Sequence, residues 1–424
     1  MKYRCGNLVK FSILIAIFCL GFLIASGCDR DDTGNKLRDI EQISPEVIDA
    51  NTQFGFNLFN EIRKTENNKN IFISPFSVSV ALAMTLNGAS GETEQSMTDA
   101  LQLQGIDPET INTGYAELQQ VLQTSDPKVT LTIANSLWAH NANDDFTFYP
   151  DFLQVNKEFF NAEITELNLH DPNTPAQINQ WVDSNTDGKI RKIIDKIDKK
   201  TGLLLLNAIY FKGEWETEFE PSMTQNDIFY LETGKEKSVP MMRQTDDYAY
   251  YEGENFQVVS LPYGSGYMSM YILLPSRESD LNTLLDDLNV ERWENAVSQV
   301  SEQEVYVQIP KFELEYSIDL SDALKELGME IAFDERNADF SRMAYSPTGK
   351  LLQRWIQKVT QKTFVKVNEE GTEAAAVTAV EVDMGVVSVS IPPEFIADRP
   401  FFYAIYDNDL KTVLFMGTVV DPQR

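Results

Sequence analysis

The feature that most constrains the fold is the run Leu203-Leu-Leu-Leu-Asn-Ala-Ile-Tyr-Phe211, apolar throughout except for Asn207. It is too short to cross a bilayer as a helix, which takes about 20 apolar residues. Its length and composition fit a strand buried on both faces, and so the interior of a sheet. The segments around it mix helical and strand periods. Residues 46–65 repeat Val47, Phe54, Phe56, Leu58, Phe59 and Ile62 at helical spacing. Asn70-Ile-Phe-Ile-Ser-Pro-Phe-Ser77 reads as a short strand running into a helix, with Pro75 near the start. A helix over Ser77–Asn87 stops at Gly88, and another begins near Gly91. Gln257–Pro275 reads as two strands joined at Tyr263-Gly264-Ser265-Gly266. Glu304–Tyr316 reads as one strand region, Ile318–Leu327 as a helix stopped by Gly328, and Phe401–Val420 as two strands turning at Asp407-Asn408-Asp409. The expected class is α+β, with helices early and strands late. No repeat and no Pro/Gly/Ser-rich linker follows residue 46, so residues 46–424 are expected to form one domain.

The first residues have a different character. Lys2, Arg4 and Lys10 precede or open the apolar run Phe11–Ala25, which has the length of a signal-peptide core. Ala25-Ser26-Gly27-Cys28 closes it and is similar to a prokaryotic lipobox, with Ala25 where Leu is usual. The expectation is a signal peptide over 1–27, lipidation of Cys28, a polar tether over 28–45, and a chain anchored to the membrane at the cell envelope or outside the cell. A plain secretory signal or an uncleaved anchor helix is the alternative.

Composition narrows the chemistry. A net charge of -30 repels phosphate backbones, so nucleic acid is not expected as a partner. Cys5, Cys19 and Cys28 all precede the folded part, which therefore has neither disulfide nor thiol chemistry. The two histidines, His140 and His170, sit in no catalytic motif and read as surface or loop residues. Asp183-Ser-Asn-Thr-Asp-Gly188 imitates the start of a calcium loop, but Ile194 stands where the bidentate Glu is needed, so the segment reads as a helix-ending turn. Tyr263–Tyr267 lacks the order of a nucleophile elbow, and no phosphate-cradling loop follows a strand. Asp144-Asp145, Asp246-Asp247 and Asp286-Asp287 read as solvated faces. No enzyme, metal or cofactor is expected.

Residues 369–392 are patterned with period two. Thr372, Ala374, Ala376, Thr378, Val380 and Val382 share one face; Glu373, Glu381 and Asp383 lie on the other. Three consecutive alanines are poor strand formers. That combination suits a segment that is a loop first and a strand later, although pattern alone leaves an ordinary edge strand or a helical turn open.

Glu369-Glu-Gly-Thr-Glu-Ala-Ala-Ala376 resembles the reactive-loop hinge of inhibitory serpins. The resemblance extends over nearly all of residues 46–424, through Asn70–Ser77, Asn207–Trp215, Ile309–Phe312, Arg399–Phe401 and Leu414–Gly417 in the family's order. It implies the serpin fold, with a large central mixed or antiparallel sheet, a second barrel-like sheet region, surrounding helices and a reactive-centre loop exposed over about 370–392. It also implies a monomer that inhibits serine, and by extension cysteine, proteases as a suicide substrate. The cut loop inserts into the central sheet and carries the acylated protease with it. The hinge maps to Glu370, Gly371, Thr372, Glu373, Ala374, Ala375 and Ala376, whose small residues let a strand pass between two others. Insertion adds hydrogen bonds of about 1 kcal/mol each and valine burial of roughly 1.5–3 kcal/mol each, on the order of 10 kcal/mol in all. Ser74, Ser77 and Asn207 match a hydrogen-bonding cluster beneath the parting strands, with Gln361 where the family often has His. Trp215, Lys311 and Glu369 match the sheet's upper opening. Fourteen residues on from Gly371 the cut falls at Gly385-Val386, or one residue to either side, after Met384 or after Val386. No Lys or Arg occurs from Val367 to Asp398, which favours elastase-, subtilisin- or papain-like targets over trypsin-like ones. A non-inhibitory serpin-fold binding or chaperone protein at the cell envelope is the alternative, and the small hinge residues argue against it.

Overall fold

The computed structural model describes residues 38, 40, 42–141, 146–198, 201–349, 353–372 and 391–422. The expected signal peptide, Cys28, hinge residues Glu373, Ala374, Ala375 and Ala376, and the candidate cut site Met384, Gly385 and Val386 lie outside these. Residues 40–424 form one unit by their contacts. It opens with α1 (Pro45–Thr65), then β1 (Ile71–Ile73), α2 (Pro75–Leu86), α3 (Gly91–Ala100) and α4 (Pro108–Thr124). Next come β2 (Val129–His140), β3 (Thr147–Phe148), α5 (Pro150–Phe160), β4 (Glu163–Leu167), α6 (Thr174–Asn185) and β5 (Leu203–Glu214). Four strands follow: β6 (Gln225–Tyr230), β7 (Glu236–Glu252), β8 (Phe256–Tyr263) and β9 (Met268–Pro275). Helices α7 (Leu281–Asp286) and α8 (Val290–Ser298) lead to β10 (Ser301–Pro310), β11 (Phe312–Asp319) and α9 (Ser321–Leu324). The chain ends with β12 (Ala344–Tyr345), β13 (Ile356–Asn368), β14 (Gly371–Thr372), β15 (Glu394–Ile396), β16 (Phe401–Asp407) and β17 (Thr412–Val419).

The strands make a six-stranded mixed sheet in the order β11-β13-β14-β5-β2-β4. A second sheet runs β1-β17-β16-β9-β8-β7-β10-β15, with β6 on β7; its described strands stay open and close no barrel. Strand β5 explains the apolar run. Leu203, Leu205, Ile209 and Phe211 point into the main core, while Leu204, Leu206 and Ala208 join a second core beneath α6. There they meet Ile178 and Val182 of α6 and Ile190, Ile193 and Ile194 of the segment after it. Each fully buried leucine contributes about 1.5–3 kcal/mol, so β5 ties both cores to one strand. At the start of the unit Ile43 is buried, and Ile40 packs against the main core.

Several expectations need correction. The helix expected over Ser77–Asn87 starts at Pro75, because the Ser74 side chain caps it and Pro75 takes the first position, where no N–H is needed. Glu304–Tyr316 is two strands: β10 pairs with β7 in the second sheet, β11 with β13 in the first, and Lys311 lies between them. Ile318 lies within β11, which runs to Asp319, rather than opening a helix. Asp319 pairs with Thr360, and its carboxylate accepts the Ser321 N–H at 3.0 Å, which delays the helix to Ser321. That helix is one turn long and passes into a wide turn in which Gly328 has φ 101°. His140 is the last residue of β2 rather than a loop residue; its Nδ1 accepts the Leu169 N–H, and its ring stacks on His170 at 3.8 Å.

Candidate functional site

Strands β5 and β13 run parallel and pair directly from Leu203 to Tyr210 and from Ile356 to Phe364. Beyond that they part, and β14 lies between them. Thr372 pairs with Val367 of β13 on one side and Gly213 of β5 on the other; Gly371 pairs with Asn368 and Glu214. The site is thus a seam, closed along most of its length, with two residues seated in its open end.

Under the closed part, three amides stand in one row. Asn135 of β2 is in register with Asn207 of β5, which is in register with Gln361 of β13. Asn207 Nδ2 donates to Asn135 Oδ1 (2.6 Å) and to the Ser77 carbonyl (3.1 Å). Gln361 Nε2 donates to Asn207 Oδ1 (2.7 Å) and the Ser74 carbonyl (2.9 Å), while its Oε1 accepts the Ser74 N–H (3.1 Å). The Ser74 hydroxyl donates to the Leu414 carbonyl (2.7 Å) and accepts the Ser77 N–H (3.3 Å). The first turn of α2 is therefore bonded to both sides of the seam and to β17. Ser77 enters through its backbone; its buried hydroxyl has no partner among the described residues. Gln361 both donates and accepts, which lets one side chain span the seam without a titratable group.

The open end is built around Glu369 and Trp215. The Lys311 ammonium meets the Glu369 carboxylate at 2.5 Å, and the Thr224 hydroxyl donates to its other oxygen at 2.7 Å. Burial acts to raise the Glu369 carboxyl, but Lys311 and Thr224 outweigh it and hold the group below the usual glutamate range. Trp215 Nε1 donates to the Asn368 carbonyl (3.0 Å), and its backbone N–H to the Glu370 carbonyl (3.0 Å). Asn368 Oδ1 accepts the N–H groups of both Glu370 and Gly371 (3.2 Å each), turning the chain back into the sheet. Gly371 has φ 150°, and a Cβ there would strike the Gly213 carbonyl oxygen and stand 2.7 Å from Glu214 Cα. Thr372 is fully buried, and its hydroxyl meets the Tyr263 hydroxyl at 2.7 Å. One oxygen of Glu370 is buried without a partner among the described residues. Nearby Glu218, exposed at the surface, is held above the usual range by partial burial and then by the Glu370 and Glu214 carboxylates, with Lys128 opposing.

The residues singled out from sequence thus fall into two groups along one seam. Ser74, Ser77, Asn207 and Gln361 gather beneath its closed part, and Trp215, Lys311, Glu369, Glu370, Gly371 and Thr372 gather at its open end. Sequence reading missed Asn135, Thr224, Tyr263 and Asn368. The partners of Asn135, Thr224 and Tyr263 lie 72, 145 and 109 residues away, so the fold was needed to find them. The Asn368 side chain bonds two and three residues on, a local turn that Asn before Glu-Glu-Gly could have signalled.

A family model described as Serpin (serine protease inhibitor) matches residues 49–422. Serpin B8 of Homo sapiens is 36% identical over 386 residues, covering 89% of this chain and 100% of the relative. Leukocyte elastase inhibitor of Bos taurus is 36% identical over 399 residues, covering 90% and 100%. Among solved structures, the thermophilic serpin tengpin in its native state has a TM-score of 0.82 at 34% identity, covering 90% of this chain and 95% of that one.

Proposed function

The chain belongs to the serpin family of serine protease inhibitors, and on that premise we propose that it traps serine proteases, and papain-like cysteine proteases with them, by offering Gly385-Val386 as bait. The observation that carries this reading is β14. Two residues at the start of the loop already sit between β13 and β5, antiparallel to both, while the seam below them is still closed. The protease nucleophile would bond to the carbonyl carbon of residue 385, break the bond to the Val386 nitrogen, and release that nitrogen as an amine. Thr372, Ala374 and Ala376 would then follow Gly371 down the seam as a strand, meeting no bulky core-face side chain. Burial of the whole segment would drag the acyl-enzyme away from its hydrolytic geometry. The absence of Lys and Arg near the bond supports an elastase- or subtilisin-like target.

The test incubates residues 29–424 with elastase, subtilisin and papain, followed by a denaturing gel and mass spectrometry of the released peptide. A stable complex at the summed mass is expected, and the peptide's N-terminus locates the bond. A cut loop with neither complex nor gain in thermal stability would instead make the chain a non-inhibitory binding or chaperone protein.

For the leader we propose lipidation at Cys28 and display at the cell envelope. Expression of the full chain in a bacterial host should give a membrane-bound product, with the lipid found on Cys28 by mass spectrometry. Cys28→Ser should release it from the membrane; a soluble, unlipidated parent would leave a plain secretory signal.

A further inference from the structure

Tyr263 ends β8 in the second sheet, yet its hydroxyl reaches into the seam of the first to meet Thr372. The ring has little freedom to swing away. It lies flat on Trp215, with centroids 4.5 Å apart and planes at 10°, and edge-on to Phe211 at 5.1 Å. It also fills the space that a side chain at residue 213 would need: a Cβ on Gly213 would stand 2.7 Å from the ring. Tyr263 and Thr372 are both fully buried. Burial pushes the phenol well above its ordinary range, so the hydroxyl keeps its proton. With β14 withdrawn, that hydroxyl would lose its partner inside the protein, an unfavourable state that an occupied seat avoids.

We propose that Tyr263 is a positioning residue for loop insertion: it receives the side chain of residue 372 and holds the first turn of the loop in the seam before cleavage, so that insertion starts from a seated strand end. The proposal rests on the trapping reading above. After acylation, insertion races hydrolysis, and the outcome decides how many inhibitor molecules are consumed per protease trapped. A seated end shortens the insertion side of that race. The seat needs a hydroxyl at 372 and another at 263; the methyl group of threonine is secondary.

The test uses Tyr263→Phe, Thr372→Val, the double variant and Thr372→Ser in the full chain, with two readouts. Hydrogen exchange at the amides of residues 371 and 372 reports the seat without any protease. Tyr263→Phe and Thr372→Val should each speed it about tenfold, with the double variant no faster than the quicker single, while Thr372→Ser stays like the parent. The number of inhibitors consumed per trapped protease should rise in the same variants and in the same non-additive way. Unchanged exchange in Tyr263→Phe, or effects of the two singles that add, overturns the proposal. Changed exchange with unchanged stoichiometry also overturns it, reducing Tyr263 to a packing residue. A parent that forms no complex with any protease sinks the trapping reading, and the exchange data still show whether the seat exists.

Discussion

Gly371 stands where the loop enters the sheet, and its backbone shape explains why glycine is found there. At φ 150°, with the Gly213 carbonyl and Glu214 Cα against its open side, any Cβ forces β14 outward. Gly371→Ala should therefore unseat Gly371 and Thr372 at a cost of about 1–3 kcal/mol. The change would be read as a lower thermal midpoint of the uncut protein and faster amide exchange at residue 372. Charge at the same end predicts an opposed pH response. Glu369 has its carboxyl lowered in the fold, so its pair with Lys311 stabilises fully above the ordinary value of 4.5 and fades as pH falls through the lower folded value. Glu218 is raised, so its ionised form weakens the fold above that raised value, and the penalty is relieved as pH falls towards 4.5. Thermal midpoints measured against pH should show Lys311→Met losing its disadvantage relative to the parent below pH 4.5. Glu218→Gln should show a small advantage at neutral pH that vanishes on acidification, small because Glu218 faces solvent. A flat difference curve in either variant contradicts the assignment.

At the scale of elements, strongly periodic segments were legible. The helix read over 46–65 is α1, the apolar run is β5, and the strand pair around Tyr263–Gly266 is β8 and β9. The split at Lys311 was not legible. Both halves alternate as strands should, and what separates them is a choice of partner, β7 or β13, made far away along the chain. The helix expected at Ile318 failed similarly. Phe312, Leu314, Tyr316 and Ile318 fit period two as well as Leu320, Leu324 and Leu327 fit a helix, and pairing with β13 kept Ile318 in the strand. The amide row beneath the seam was half legible: Asn207 and Gln361 through family resemblance, Asn135 through register alone. Because Gln361 bonds both to Asn207 and to Ser74, its loss orphans several buried groups at once. Gln361→Ala should destabilise by about 1–3 kcal/mol or more, read as a lower urea midpoint at unchanged slope. A shift below about 0.5 kcal/mol would mean that the row contributes little to holding the seam shut.

For the whole molecule, the expectation is that the uncut chain is kinetically held short of its most stable form. Cleavage at the loop should raise the thermal midpoint well above that of the uncut protein, and a charged core-face residue, as in Ala374→Arg, should remove that gain and turn the inhibitor into a substrate. A cut protein that melts where the uncut one does would remove the basis of trapping. The seam's topology suggests why such a change is open to this chain. Strands β5 and β13 are parallel neighbours, and all of β6 to β12 comes between them along the chain. No tight hairpin stitches them together, so a segment can slide in from the side without threading through a closed ring of backbone. Seated there, as Gly371 and Thr372 already are, it runs antiparallel to both neighbours. Full insertion would exchange one parallel ladder for two antiparallel ones, and the sheet would widen by a strand while gaining no new edge.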